Sequence, residues 1–351
     1  MKPEQSPGLL ANFIVNNLYH FSESFLLESG ESLPEFTLAY QTWGNLNADK
    51  SNVIWVCHAL TANAAVDDWW PNMLGKDLLL DPEKHFIICA NMLGSCYGST
   101  HALSQNPATG SPYFHQFPLL TNRDIVRAFD LLRQSLGINR IHSIMGGSLG
   151  GQQVLEWAIM NPDLFDNIIP IATNAQHSPW GVAFNESQRL AIQADHSWKE
   201  NSPLAGQAGL KAARSVALLS YRNYQTYSST QQETDHQTIE DFRASSYQRY
   251  QGDKLVKRFN AFSYWTLSKA MDSQNVARSR NSVQEALSLI QANCLVIGVG
   301  SDVLFPIQEQ QLLHQLIPHS HFFEVQSSYG HDGFLIETDQ ISQAVQQFWQ
   351  G

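Results

Sequence analysis

A serine set among four glycines, Gly146-Gly147-Ser148-Leu149-Gly150-Gly151, constrains this chain more than any other feature. The run before it, Ile141-His142-Ser143-Ile144-Met145, reads as a strand. The run after it, Leu149–Met160, reads as a helix with Val154, Leu155, Ala158 and Ile159 on its apolar side and a stop at Asn161-Pro162. A serine at the apex of so tight a strand-to-helix turn needs neighbours nearly free of side chain, and Gly146 and Gly150 supply that clearance. The turn pushes the Ser148 hydroxyl outward. It also aims the first N–H groups of the helix, that of Leu149 above all, at the anion that forms when a serine attacks a carbonyl. Glycine-rich turns also occur for close packing alone, so the rest of the chain has to decide.

Short, mostly continuous apolar runs at Val53–Cys57, 86–90, 141–145, 168–172, 294–299 and 322–325 mark strands covered on both faces, the habit of a parallel sheet. Helices alternate with them. Thr121 caps one with Asp124 three residues on, and Ile125, Phe129, Leu132 and Leu136 keep its apolar stripe until Gly137 ends it. Near the start, 25–27 and 36–40 are separated by Gly30 and Pro34, which suits an antiparallel hairpin. Between about 176 and 291 the chain turns polar and rich in Gln and Ser, with helical stretches at 210–220 and 259–271 and few strand signals. A structureless loop of that length is improbable in a compact protein, so an inserted helical lid is the simplest account, with 228–236 as a mobile loop.

A serine hydroxyl is barely ionised at neutral pH and needs a base within reach and an acid to orient that base. Asp302 follows the strand at 294–299, and His331 lies in a turn, Gly330-His331-Asp332-Gly333, after the strand at 322–325. Each alone is ordinary turn chemistry. Together, Ser148, Asp302 and His331 stand in the chain order of an α/β-hydrolase triad, each at a strand end. The expected architecture is therefore an α/β-hydrolase fold with a mostly parallel central sheet: core at 1–175 and 292–351, helical lid at 176–291. A second oxyanion donor is expected from the loop after Val53–Cys57, with the Leu60 N–H as candidate and His58 holding that loop by side-chain hydrogen bonds.

The net charge of −11 argues against nucleic acid or an anionic membrane as partner, since both demand clustered positive charge. No apolar stretch reaches the ~20 residues that span a bilayer, and Met1-Lys2-Pro3-Glu4-Gln5 lacks the basic start of a signal peptide, so a cytoplasmic location is expected. Cys57, Cys89, Cys96 and Cys294 form no C-x-x-C pair and read as reduced thiols, three of them within apolar strands. The 13 histidines show no metal-ligand spacing, so no metal is expected.

At this point the residues resemble a family, the homoserine O-acyltransferases of methionine biosynthesis, over nearly the full length. The resemblance is carried by His58-Ala59-Leu60-Thr61, 91–100, 106–110, the serine turn itself, Tyr221-Arg222, 301–306 and 330–335. It implies a two-step exchange in which Ser148 takes an acyl group from acetyl-CoA and the hydroxyl of L-homoserine then removes it, with no tightly bound cofactor. It further implies Arg222 for the amino-acid carboxylate, Asp332 for its amine, and a homodimer joined through the lid. The chain departs from the usual pattern at Leu149, commonly methionine, at His101-Ala102-Leu103-Ser104, and in the loop 62–68. Acetyl against succinyl donor and homoserine against serine acceptor stay open there. An ester or thioester hydrolase with the same triad and a non-catalytic binding protein are the rival readings.

Overall fold

The computed structural model describes residues 17–351; the first five residues, read above for export, lie outside them. Eight strands form one sheet: β1 (Asn17–Phe21), β2 (Phe36–Trp43), β3 (Val53–Cys57), β4 (Phe86–Ala90), β5 (Ile141–Gly147), β6 (Phe165–Ile171), β7 (Asn293–Val299) and β8 (Ser320–Val325). They lie in the order β1-β2-β4-β3-β5-β6-β7-β8. The pairs β1–β2 and β2–β4 are antiparallel, and every pair from β4 to β8 is parallel.

The alternation of side chains in β3 explains why such strands read as solid apolar runs. Val53, Trp55 and Cys57 point into one buried cluster, where Trp55 meets Trp157 edge-on at 4.9 Å between ring centroids, while Ile54 and Val56 point into a second cluster on the opposite face. The first face is covered by α1 (Asn122–Ser135) and α2 (Leu149–Met160), the second by the segment 64–80 and the C-terminal helix Thr338–Gln350. Helix α1 opens on the expected capping box, the Thr121 side chain accepting from the Asp124 N–H. The four cysteines are buried and unpaired.

Two local expectations are corrected. Phe25–Leu26 pairs with Ser32–Leu33 in a two-residue ladder, whereas the strand at 36–43 pairs with Asn17–Phe21 instead. The segment 228–236 is not all loop, because a helix begun by the Asn223 side chain, which accepts from the Thr226 N–H, runs to Thr230.

Between β6 and β7 the regular structure is helical: α3 (Pro179–Ala194), α4 (Gln207–Tyr221), α5 (Tyr224–Thr230), α6 (Arg243–Val256), α7 (Ala261–Asp272) and α8 (Val283–Ser288). After β7 come α9 (Ile307–Leu316) and, at the end, α10 (Thr338–Gln350). No helix among the described residues is long and apolar enough to cross a membrane.

Candidate active site

Ser148 sits between β5 and α2 with φ 59° and ψ −124°, a conformation that side-chain-bearing residues adopt only under constraint from their surroundings. Its glycine neighbours show the constraint directly. A Cβ on Gly150 would stand 2.2 Å from the Cys57 carbonyl oxygen, and one on Gly147 would stand 2.4 Å from the ring of Phe334. The Ser148 N–H donates to Ile171 O (3.0 Å), which ties the turn to the neighbouring strand.

Asp302, buried in the loop after β7, accepts three hydrogen bonds. Its Oδ1 takes the N–H groups of Leu304 (2.8 Å) and Phe305 (2.9 Å), and its Oδ2 lies 2.6 Å from His331 Nδ1. With Nδ1 carrying the proton toward the carboxylate, Nε2 is left unprotonated and able to accept a proton. The imidazole is fixed in plane by stacking on Phe305 (5.1 Å between centroids) and by edge contact with Phe334 (5.3 Å). Ser148 and His331 line the same cavity of about 470 Å³. Among the described residues the Ser148 hydroxyl makes no hydrogen bond, as is common in such sites before substrate tightens them.

The candidate oxyanion donors have the required freedom. Leu149 is the first residue of α2, where the N–H has no intrahelical acceptor, and among the described residues neither it nor the Leu60 N–H has an acceptor. The loop carrying Leu60 is held as expected by His58, whose Nδ1–H donates to Ala59 O (2.9 Å) while Nε2 accepts from the Met92 N–H (3.2 Å). Burial lowers the His58 pKa to about 4, so the ring stays neutral and serves as a strut rather than a second base.

Arg222 and Asp332 lie on the cavity wall and touch each other, Nη1 to Oδ2 at 3.1 Å. Gly330 makes this possible: at φ +64° its Cα faces the Arg222 backbone so closely that a Cβ would meet it at 3.0 Å. Burial raises the Asp332 pKa, and the charge of Arg222 opposes the rise. Arg214, Gln251, Lys254 and Arg258, none of them among the residues expected from sequence, also line the cavity. Their spacing, with Gln251, Lys254 and Arg258 recurring every three to four residues along α6 and just past its end, was the available signal. Beyond Asp302, the half-buried Glu309 accepts from Asn174 Nδ2 (2.8 Å), and Asn174 in turn accepts from Gln152 Nε2 (3.0 Å). Burial pushes the Glu309 carboxyl up to about 7.

Residues 52–338 match the alpha/beta hydrolase fold family. A homoserine O-acetyltransferase from Cyclobacterium marinum is 48% identical over 345 residues, which cover 98% of each chain. The chain belongs to the homoserine O-acetyltransferase family. Among solved structures, a homoserine O-acetyltransferase from Bacillus anthracis superposes with a TM-score of 0.87 at 24% identity, covering 95% of this chain and 96% of that one. Esterase E22 superposes with a TM-score of 0.86 at 22% identity, covering 95% and 99%. Both likenesses are of fold. Since an esterase and a member of the homoserine O-acetyltransferase family overlay this backbone equally well, the side chains of the cavity must distinguish the two chemistries.

Proposed function

We propose that this chain transfers the acetyl group of acetyl-CoA to the side-chain hydroxyl of L-homoserine, a step of methionine biosynthesis in the cytoplasm, through an acyl-enzyme on Ser148. The observation that carries this reading is the Arg222–Asp332 pair beside His331 in the Ser148 cavity. A plain hydrolase has no use for two opposite charges held 3.1 Å apart at its base. An amino-acid acceptor brings a carboxylate and an ammonium that exchange partners with them, and so seats its hydroxyl at the base.

In the first half, His331 Nε2 takes the Ser148 proton as Oγ bonds to the thioester carbon. The oxyanion meets the N–H groups of Leu60 and Leu149, the C–S bond breaks, and the proton passes to the departing thiolate. In the second half, Nε2 takes the homoserine hydroxyl proton, the new C–O bond forms, and the proton returns to Ser148 as its ester bond breaks. Asp302 stabilises the imidazolium in both halves. In this reading the helical segment 176–291 is a lid that keeps water from the acyl-enzyme between the core parts 1–175 and 292–351. It also joins two copies of the chain, consistent with its exposed Leu219, Tyr224 and Tyr250. No tightly bound cofactor takes part.

The second reading, an ester or thioester hydrolase, rests on the superposition with esterase E22. One assay separates the two: thiol release from acetyl-CoA or succinyl-CoA with and without L-homoserine. Transfer requires release that depends on homoserine and yields the O-acyl product; equal release without it means hydrolysis. Ser148→Ala should abolish turnover in a folded protein. Arg222→Ala should raise the homoserine KM by about 10- to 100-fold, the range of a lost charge-assisted contact, and leave the donor KM alone; an unchanged homoserine KM would refute the carboxylate role.

A further inference from the structure

Two neighbouring strand ends hold backbone conformations that the fold has to enforce. Eight residues other than glycine among the described ones take a positive φ, and only Ser148 (59°) and Ala172 (44°) are buried. Such a conformation is costly and persists only where the surroundings over-determine it, so a buried pair of them calls for a cause. The two are tied together through the residues on either side of Ala172. Ile171 O accepts the Ser148 N–H at 3.0 Å, and the Thr173 hydroxyl donates to Ser148 O at 2.9 Å. The end of β6 thus grips the backbone of the nucleophile from both sides.

The Thr173 bond matters for what lies across the peptide it holds. Ser148 C=O and Leu149 N–H belong to one trans, planar unit, so they point in opposite directions and fixing the oxygen fixes the hydrogen. Ser148 O also accepts from the Gln152 N–H at 3.1 Å, the bond that opens α2. One such bond sets a direction but leaves the peptide plane free to tilt about it; a second donor, arriving from the side, removes that freedom. Thr173 is well placed to be that donor because it is itself held. It is fully buried, a Cβ on Gly151 would stand 2.7 Å from its own Cβ, and its carbonyl accepts from Gln310 Nε2 at 2.6 Å. Gln310 belongs to α9, the helix that follows the Asp302 loop. A buried hydroxyl must find some acceptor wherever it lies. Here the acceptor is the one carbonyl whose peptide carries the candidate oxyanion donor.

We propose that Thr173 is a positioning residue for the oxyanion hole: by holding the Ser148 carbonyl, its hydroxyl keeps the Leu149 N–H aimed at the developing oxyanion. The proposal rests on the reading of Ser148 as nucleophile and Leu149 as donor, and applies to transfer and hydrolysis alike.

The test separates the hydroxyl of Thr173 from its methyl. Thr173→Val keeps the branched shape and loses the donor, while Ser148 O retains the Gln152 N–H and is not orphaned; Thr173→Ser keeps the donor and loses the methyl. The first readout is the rate of covalent labelling by a fluorophosphonate, in which Ser148 Oγ bonds to phosphorus, fluoride leaves, the proton passes to His331 and the phosphoryl oxygen enters the oxyanion hole. Thr173→Val should label about tenfold more slowly than wild type, less than the roughly 100- to 1,000-fold of deleting a donor outright, and Thr173→Ser within about twofold of wild type. The second readout is turnover with acetyl-CoA and L-homoserine, where Thr173→Val should lower kcat by the same factor with both KM values unchanged, the sign of an interaction made only in the transition state. Labelling at the wild-type rate in Thr173→Val, or an equal loss in Thr173→Ser, overturns the proposal, the latter because it would assign the effect to packing. Should valine unfold the protein in a thermal melt, Thr173→Ala against Thr173→Ser isolates the hydroxyl again: alanine is expected to be about tenfold slower than serine, and equal rates overturn the proposal. Wild-type protein that the reagent does not label removes Ser148 from the chemistry, and the proposal with it. Wild-type protein that labels but releases thiol from acetyl-CoA without regard to homoserine fails the transfer reading alone.

Discussion

Glu309 shows how a single half-buried carboxyl can shape the pH response of the whole chain. Burial raises its pKa from the ordinary 4.5 to about 7, with Asp302 nearby adding to the rise and Asn174 holding one oxygen. Between those two values the unfolded chain gives up the proton and the folded chain keeps it, so folding loses stability as pH climbs through that window, and the loss is complete above about 7. Below 4.5 both states are protonated and the group costs nothing. Glu309→Gln keeps a carbonyl oxygen for Asn174 and removes the titration. We expect thermal denaturation to show the variant more stable by roughly 2–3 °C at pH 8, the advantage shrinking to zero as pH falls toward 4.5. An advantage that does not change with pH would mean that Glu309 is ionised in the folded protein. Its sequence context, on a helix with Gln308, Gln310 and Gln311 beside it, reads as a solvated surface, which is why no sequence argument finds it.

The elements divide by how local their causes are. β3 to β7, α1 and α2 were legible because burial on two faces, capping by Thr121 and the stop at Asn161-Pro162 are all written in adjacent residues. β1 was not: Asn17–Phe21 is only half-buried, has one exposed face, and owes its existence to β2, a partner its own sequence does not name. The meeting of Asp302 with His331 beside Ser148 was legible for the same reason as the strands, because each of the three follows a strand. Arg258 was not, since a cation at the end of a polar helix reads as solvated until folding places it against Thr61, 197 residues away in sequence. That contact predicts a separable phenotype. Arg258→Met should lower kcat about tenfold with any acyl donor, by loosening the loop that supplies the Leu60 N–H, and leave the homoserine KM unchanged. A donor-specific effect on KM would mean that Arg258 contacts the acyl donor instead.

At the scale of the whole molecule, the helices between β6 and β7 present Leu219, Tyr224 and Tyr250 to solvent at 57%, 86% and 60% exposure. If these side chains form one contiguous apolar patch, that patch is where a second copy would dock. Sedimentation should therefore find twice the 39.4 kDa of one chain, and Leu219→Glu with Tyr250→Glu should give the single-chain mass with the fold intact. A wild-type mass of one chain would remove the dimer from the reading. The core beneath those helices is registered differently. The Phe334 ring fills the space that a side chain at position 147 would need, so the Ser148 turn and the His331 turn are gauged against each other, and the insertion leans on the same His331 turn through Tyr221 and the Arg222 backbone. A side chain at position 147 would therefore act at a distance, displacing the Phe334 ring and with it the turn that carries His331.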